Sequence, residues 1–291
     1  MKLLLYIIIL CLSLPCVATN TKNNSLNVVI PFGPGGGTDT IFRKLQRFAD
    51  TENIELKPIY KPGNNGLIGI ASIYEANDDL AGIVTFDTIT AYSIKNKIDV
   101  NNIITIQKNV FGVVTSKDGS LEDFIKNSNT ANPIKVGYLL LSQKTIIEEV
   151  LKYYKVNHEI VFVPYKSGAE LIQNIIGKHV DMGITSLNVL APNIKTGKMR
   201  LLAVDTNTVI TDFPNTILLG KLDPKIPNIN KGSSIVLPNN NNKLFWENLI
   251  TKYLLHEDTK ADSRINYWIP IRKTVKELEK DLIENKIILG L

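Results

Sequence analysis

From Leu26 onward the chain alternates short apolar β-like runs with amphipathic helical stretches. That rhythm predicts an α/β protein. Val28, Val29 and Ile30 read as a buried strand that runs into Pro31-Phe32-Gly33-Pro34-Gly35-Gly36-Gly37. Thr38 or Asp39 then caps a helix whose apolar face is Ile41, Leu45 and Phe48. Strands are predicted over residues 56–60 and 82–86, with a turn-rich loop over 62–66 and a short helix over 70–75 between them. The rhythm changes at a strand over 110–114, followed by a capped helix around 121–125, and a second α/β series then begins. Strands follow over 134–138, 160–164, 180–185 and 199–204, and helices over 142–154, 169–176 and 187–195. Gly177 and Gly197 close the last two helices. Periodicity fades over 205–231, a strand returns at 234–238, and helices over 244–255 and 275–285 end the chain. Two α/β series joined by two strand-like crossings predict two lobes with a ligand cleft and hinge between them. Lobe 1 takes residues 25–115 and 233–291, and lobe 2 takes residues 116–232.

The first eighteen residues depart from this rhythm. Met1-Lys2 is a short basic start, residues 3–14 are continuously apolar, and Cys16 and Ala18 have the spacing a signal peptidase reads. Twelve apolar residues are too few for a helix to cross a hydrocarbon core of ~30 Å. Cleavage after Ala18 and export to the periplasm are expected, with lipid anchoring at Cys16 as the alternative. Both cysteines, Cys11 and Cys16, fall in this leader. Disulfides, cysteine nucleophiles and cysteine metal sites are thereby excluded from the mature chain. The formal charge of +5 over 291 residues is scattered. It excludes a nucleic-acid partner by that criterion and is compatible with an anionic ligand.

The chemistry concentrates at the first glycine loop. Glycines there expose backbone N–H groups, and the helix that follows adds unsatisfied donors and a partial positive charge. The result is an anion site without a basic side chain. Two nucleotide readings fail. Gly36-Gly37-Thr38 has no lysine where a phosphate loop needs one, and Thr38 stands where a dinucleotide fingerprint starting at Gly33 needs glycine. A tight turn with no ligand is the plain alternative.

The match widens beyond one loop. The stretch from Val28 to Phe32 and on through Gly35-Gly36-Gly37-Thr38-Asp39 resembles the opening of the tripartite tricarboxylate transporter substrate-binding proteins, the Bug family. Tyr60-Lys61-Pro62-Gly63-Asn64-Asn65-Gly66-Leu67-Ile68-Gly69 resembles that family's second glycine loop. Tyr165-Lys166-Ser167-Gly168-Ala169 resembles its inner-lobe loop, and residues 177–182 and 194–204 continue the pattern. The ordered similarity covers roughly residues 26 to 205. The resemblance implies a two-lobed, periplasmic-binding-protein-like fold of type II. It also implies a small carboxylate ligand held by backbone amides, hydroxyls and water, and delivery to inner-membrane transporter subunits. The five arginines, none in the glycine loops, agree with that. No cofactor and no metal are expected, and a monomer is. One departure stands out: Leu141 lies where the family has a glycine, so the pocket is expected to be smaller or more apolar there.

The site read from these motifs has three first-lobe anion contacts, Gly35, Gly36 and Thr38, with Gly37 beside them. Thr85 and Thr88 add polar contacts after the third strand, and Asn64 belongs to the second glycine loop. Ser142, Tyr165, Ser167 and Ser186 approach from lobe 2. Local helix capping is the alternative for each hydroxyl. Phe32 walls the cleft or packs in the core. Asp39 is placed at the site as a helix-start residue, since its charge would repel an anion.

Enzyme readings find little support. His158, His179 and His256 are far apart, no Gly-x-Ser-x-Gly or His-Glu-x-x-His motif is present, and the acid pairs Asp78-Asp79 and Glu148-Glu149 are adjacent in sequence. Neighbours one residue apart do not share a helix face. Trp246 and Trp268 are expected in core or interlobe packing. The leading reading is a non-catalytic receptor for a di- or tricarboxylate, an amino acid or an aromatic acid. An exported enzyme on a carboxylated metabolite, or a receptor turned sensor or adhesin, are the alternatives.

Overall fold

The computed structural model describes residues 24–76, 80–116, 133–156, 159–265 and 267–291. The expected leader, the helix around 121–125, Asp78-Asp79 and His158 lie outside these residues. Lobe 1 opens with β1 (Asn24–Ile30), α1 (Gly37–Thr51), β2 (Ile54–Tyr60), α2 (Leu67–Glu75), β3 (Ala81–Thr85), α3 (Phe86–Tyr92) and β4 (Ile103–Asn109). The chain then crosses to lobe 2: β5 (Phe111–Ser116), β6 (Ile134–Tyr138), α4 (Leu141–Tyr153), β7 (Ile160–Pro164), α5 (Gly168–Ile176), β8 (Met182–Ser186), α6 (Leu187–Lys195), β9 (Met199–Val204), β10 (Ile217–Leu218) and α7 (Leu219–Leu222). It returns through β11 (Ser233–Val236), α8 (Lys243–Leu255), α9 (Glu257–Ile265), β12 (Trp268–Pro270) and α10 (Val275–Leu289).

Each lobe is built on a six-stranded sheet, in the orders β12-β4-β11-β3-β1-β2 and β10-β9-β5-β8-β6-β7. The interior strands explain the apolar runs. In β1, Val28, Val29 and Ile30 are buried on both faces, because helices cover both sides of a parallel pairing with β2 and β3. β6 repeats this in lobe 2, parallel to β7 and β8. The crossing strands run the other way: β11 is antiparallel to β3 and β4, and β5 is antiparallel to β8 and β9. Those inserted antiparallel strands tie each sheet to the hinge.

The expected boundary between residues 115 and 116 needs correction. β5 pairs wholly within the second sheet, so the first changeover lies at Val110. Val110 donates its N–H to the Tyr267 carbonyl in lobe 1 and accepts the Leu187 N–H in lobe 2, at 3.0 and 2.8 Å. The return crossing runs through residues 230–232 into β11. Other elements differ from expectation, among them β10, α7, α9 and β12, which lie where no element is predicted. β4 has no counterpart among the predicted strands, and residues 86–92 form helix α3 where the sequence predicts the third strand to end at Phe86.

Burial follows the two sheets. Phe42, Leu45, Trp246, Tyr253 and Trp268 pack in lobe 1, so both tryptophans belong to one lobe's core. Val114, Ile146, Leu171, Ile184 and Leu187 pack in lobe 2. Helix α10 packs on α3 of lobe 1 and on α4 of lobe 2. It is also pinned to the return crossing, where Lys231 Nζ pairs with Asp281 at 3.1 Å and Glu284 at 3.0 Å.

Candidate functional site

The first glycine loop folds as a tight corner at the start of α1, with a different cap from the one expected. Gly36, in extended backbone, is the N-cap of α1, and no side chain caps it. Thr38 and Asp39 sit in the first turn instead. Asp39 reaches back past the N-cap so that its Oδ2 accepts the Gly35 N–H at 2.9 Å. Its Oδ1 accepts the Tyr60 hydroxyl at 2.6 Å and pairs with Arg43 at 3.3 Å. Burial and that bond to Asp39 hold the Tyr60 phenol above its ordinary range. The Asp39 charge is thus absorbed within lobe 1, and the Gly35 amide is spent on it. Gly35 has φ +76°, a conformation that favours glycine, so it serves the turn itself.

Lobe 2 closes over this corner. Gly33 donates its N–H to the Lys166 carbonyl at 3.0 Å, and Asn109 Nδ2 donates to Ser186 Oγ at 3.4 Å. Gly37 and Ser186 approach so closely that a Cβ at position 37 would lie 2.5 Å from Ser186 Oγ. Between the lobes remains a cavity of about 30 Å³. That is room for one or two water molecules. Lobe 1 lines it with Phe32, Gly36, Gly37, Thr38, Thr85 and Ser233, and lobe 2 with Phe111, Leu139, Leu140, Gln143, Thr185 and Ser186. The crossings supply Asn109, Asn230 and Gly232. Among the described residues no Lys, Arg, His, Asp or Glu lines it. Its polarity is made of hydroxyls, amides and the start of α1.

Of the expected site residues, Phe32, Gly36, Gly37, Thr38, Thr85 and Ser186 are gathered here. The others have different surroundings. Gly35 and Asp39 bond each other. Thr88 Oγ1 donates to the Asn65 carbonyl at 2.9 Å and lies 2.9 Å from Thr85 Oγ1, so it braces the second glycine loop behind Thr85. Asn64 is exposed in that loop. Ser167 caps α5 by accepting the Glu170 N–H at 3.2 Å. Tyr165 is half-buried, and its N–H donates to the Tyr138 carbonyl at 2.8 Å. Ser142 is buried at the start of α4, where its N–H donates to Asp87 Oδ2 across the lobes at 2.7 Å. His179 is exposed, and His256 packs edge-on to Phe48, remote from the lining.

Sequence reading missed the hinge half of the lining. Asn109 and Asn230 were the available signal, as amide side chains beside the two crossings. Asn230 Nδ2 donates to the Asn109 carbonyl at 2.7 Å, and its Oδ1 accepts the Gly232 N–H at 3.0 Å. Beneath them Asp205 accepts the Phe111 N–H at 2.7 Å. Burial pushes its carboxyl up to about 6, against the pull of Lys108 and of that N–H. Burial likewise lowers Lys108, with Asp205 opposing. The backbone donors just before Leu141 are committed within lobe 2. The N–H groups of Leu139 and Leu140 both donate to Gln143 Oε1, at 2.8 and 3.2 Å, and both leucines wall the cavity.

The comparisons with known proteins agree with this geometry. Residues 61–238 match the model of the tripartite tricarboxylate transporter family receptor. A UPF0065 protein of Bordetella bronchiseptica is 23% identical over 238 residues, which cover 76% of this chain and 70% of that protein. Among solved structures, MatC (Rpa3494) from Rhodopseudomonas palustris with bound malate superposes with a TM-score of 0.74 at 14% identity, covering 91% of this chain and 98% of that one. Rpa4515 from the same organism, with adipate, gives 0.74 at 17% identity, covering 91% and 97%. At such identities these two show the fold. Among the described residues no helix is long and apolar enough to cross a membrane.

Proposed function

Because the chain belongs to the tripartite tricarboxylate transporter receptor family, a family of solute-binding receptors, we propose that it captures a small carboxylate between its lobes outside the cytoplasm and delivers it to membrane transporter subunits. One observation carries the reading. Among the described residues no cationic side chain lines the interlobe cavity, and the start of α1, whose first backbone N–H groups have no partner inside the helix, opens onto it. A carboxylate that leaves water for such a site must recover its hydration in hydrogen bonds. Gly36, Gly37 and Thr38 supply amides, and Thr38, Thr85, Ser186 and Ser233 supply hydroxyls. Charge-assisted bonds contribute roughly 1.5–3 kcal/mol each. Three or four are therefore enough for micromolar affinity, about −8 kcal/mol. Malate and adipate in the two fold neighbours support an organic acid as cargo. A lining of hydroxyls and amides, without a titrating side chain, favours a receptor over the enzyme alternative.

Isothermal titration of the purified protein with mono-, di- and tricarboxylates, amino acids and aromatic acids tests the reading. At least one acid is expected to bind with micromolar affinity. Gly36→Asp should abolish that binding while keeping the fold, since Asp is a favoured N-cap residue and its charge repels an anion at the same point. A protein that binds none of these acids, or a variant that binds as well as the parent, contradicts the proposal.

A further inference from the structure

A ligand with two carboxylates needs two anion sites, and a cleft between two helix starts can offer them. Here α1 opens at the lobe 1 side of the cavity. On the lobe 2 side stand the start of α6, whose N-cap Ser186 abuts Gly37 at the α1 corner, and the start of α4, represented in the lining by Leu139, Leu140 and Gln143. The donors of the α4 start are already committed. The amides of Leu139 and Leu140 serve Gln143 Oε1. The Ser142 N–H donates to Asp87, a lobe 1 carboxylate carried by α3, at 2.7 Å.

Both partners are deeply buried, Asp87 at 5% exposure and Ser142 at 1%. Their near neighbours in the chain, Thr85 and Gln143, line the cavity. Among the described residues no cationic side chain pairs with Asp87, so its carboxylate relies on Ser142 at this helix start and on the buried Asn285. Burial pushes its carboxyl above the ordinary range, and hydrogen bonds from Ser142, side chain and N–H, and from Asn285 oppose that. Whether Asp87 is charged or protonated, the Ser142 amide remains occupied. The rest of this side is apolar, from Phe111, Leu139 and Leu140.

Resting on the receptor reading above, we infer that this cleft selects a monocarboxylate with an uncharged tail, because Asp87 holds the α4 helix start that a second carboxylate would need. The carboxylate end lies at α1 and the tail against Phe111, Leu139 and Leu140. Asp87 is a specificity-determining residue that acts by occupying a donor and, when ionised, by repelling a second anion.

Calorimetric titration with matched acid pairs tests this: propionate against succinate, hexanoate against adipate, and benzoate against phthalate. The parent protein is expected to bind the monoacid of at least one pair tenfold or more tighter than its diacid. A diacid that binds as tightly as its monoacid, or tighter, overturns the inference and leaves the receptor reading standing. Failure of every acid to bind overturns the receptor reading and the inference with it. Asp87→Ala frees the Ser142 amide and should shrink the monoacid preference at least threefold. Should that variant not fold, Asp87→Asn keeps the side-chain shape, removes the charge, and should shrink the preference in the same direction. A folded variant with the parent's preference overturns the role given to Asp87.

Discussion

A Cβ on Gly37 would sit 2.5 Å from Ser186 Oγ, so at this position the lack of a side chain sets how far the lobes can close. Position 37 is also the first residue of α1, where alanine suits the helix better than glycine. Gly37→Ala is therefore expected to leave thermal stability unchanged or slightly raised. It should weaken ligand binding at least tenfold, which calorimetry beside a melting curve would separate. Asp205 makes a second prediction at this scale. Burial raises its folded-state pKa to about 6 from 3.8, so the folded chain holds this proton more tightly than the unfolded chain. Its stabilising contribution is complete below the unfolded value and is lost as pH rises through about 6. Urea midpoints measured from about pH 4 to pH 7 should fall for the parent relative to Asp205→Asn, and equal slopes would contradict this. Single residues were legible where type alone implies geometry, as at Gly36 and Gly37. They were illegible where a partner distant in sequence decides the role. Nothing near Asp87 in sequence indicates that its carboxylate meets Ser142, 55 positions away.

Helix starts carry the chemistry at the scale of elements, and their caps separate ligand contacts from local structure. Ser167 accepts the Glu170 N–H and thereby caps α5. Ser167→Ala should cost about 1 kcal/mol of stability. Because Ser167 lies outside the cavity lining, ligand affinity should stay within twofold; a variant that loses affinity without stability would make Ser167 a ligand contact. The strand over residues 28–30 was readable because burial on both faces writes an apolar run into the sequence, and the strand expected over 180–185 lies largely within the fully buried β8. β4 was not, because Thr105, Gln107 and Asn109 are polar residues buried in the middle of a sheet. Their partners are invisible to a hydropathy pattern: Gln107 Nε2 donates to Asn109 Oδ1, and Thr105 Oγ1 accepts the Lys273 N–H. Helix α3 was hidden for a related reason. Its threonines and Phe86 favour strands, yet packing under α2 and α10 decides for helix.

For the molecule as a whole, two sheets, two crossings and one bridging helix make a clamp. The two lobes could be read from the alternation of elements, and their cores sit where the apolar runs placed them. The changeover point reads five residues late, because the apolar run that begins at Val110 fits either lobe by pattern and only its pairing with β8 and β9 assigns it to lobe 2. The hinge half of the cavity was lost with it, since Asn109, Asn230 and Gly232 meet only once both crossings are in place. In the closed arrangement the cavity of about 30 Å³ is smaller than an organic acid, so capture requires the lobes to part and close again on a wider cavity. On the proposed reading, bare amides at the start of α1 hold the carboxylate of the captured acid. Amide NMR of the isotopically labelled protein, titrated with an acid that calorimetry shows to bind, tests that claim most directly. The account predicts large saturable shifts of the Gly36, Gly37 and Thr38 amide protons, in the direction of stronger hydrogen bonding, at the calorimetric stoichiometry. Saturation of the protein with those three amides unmoved, and shifts confined to residues outside the cavity, would contradict it.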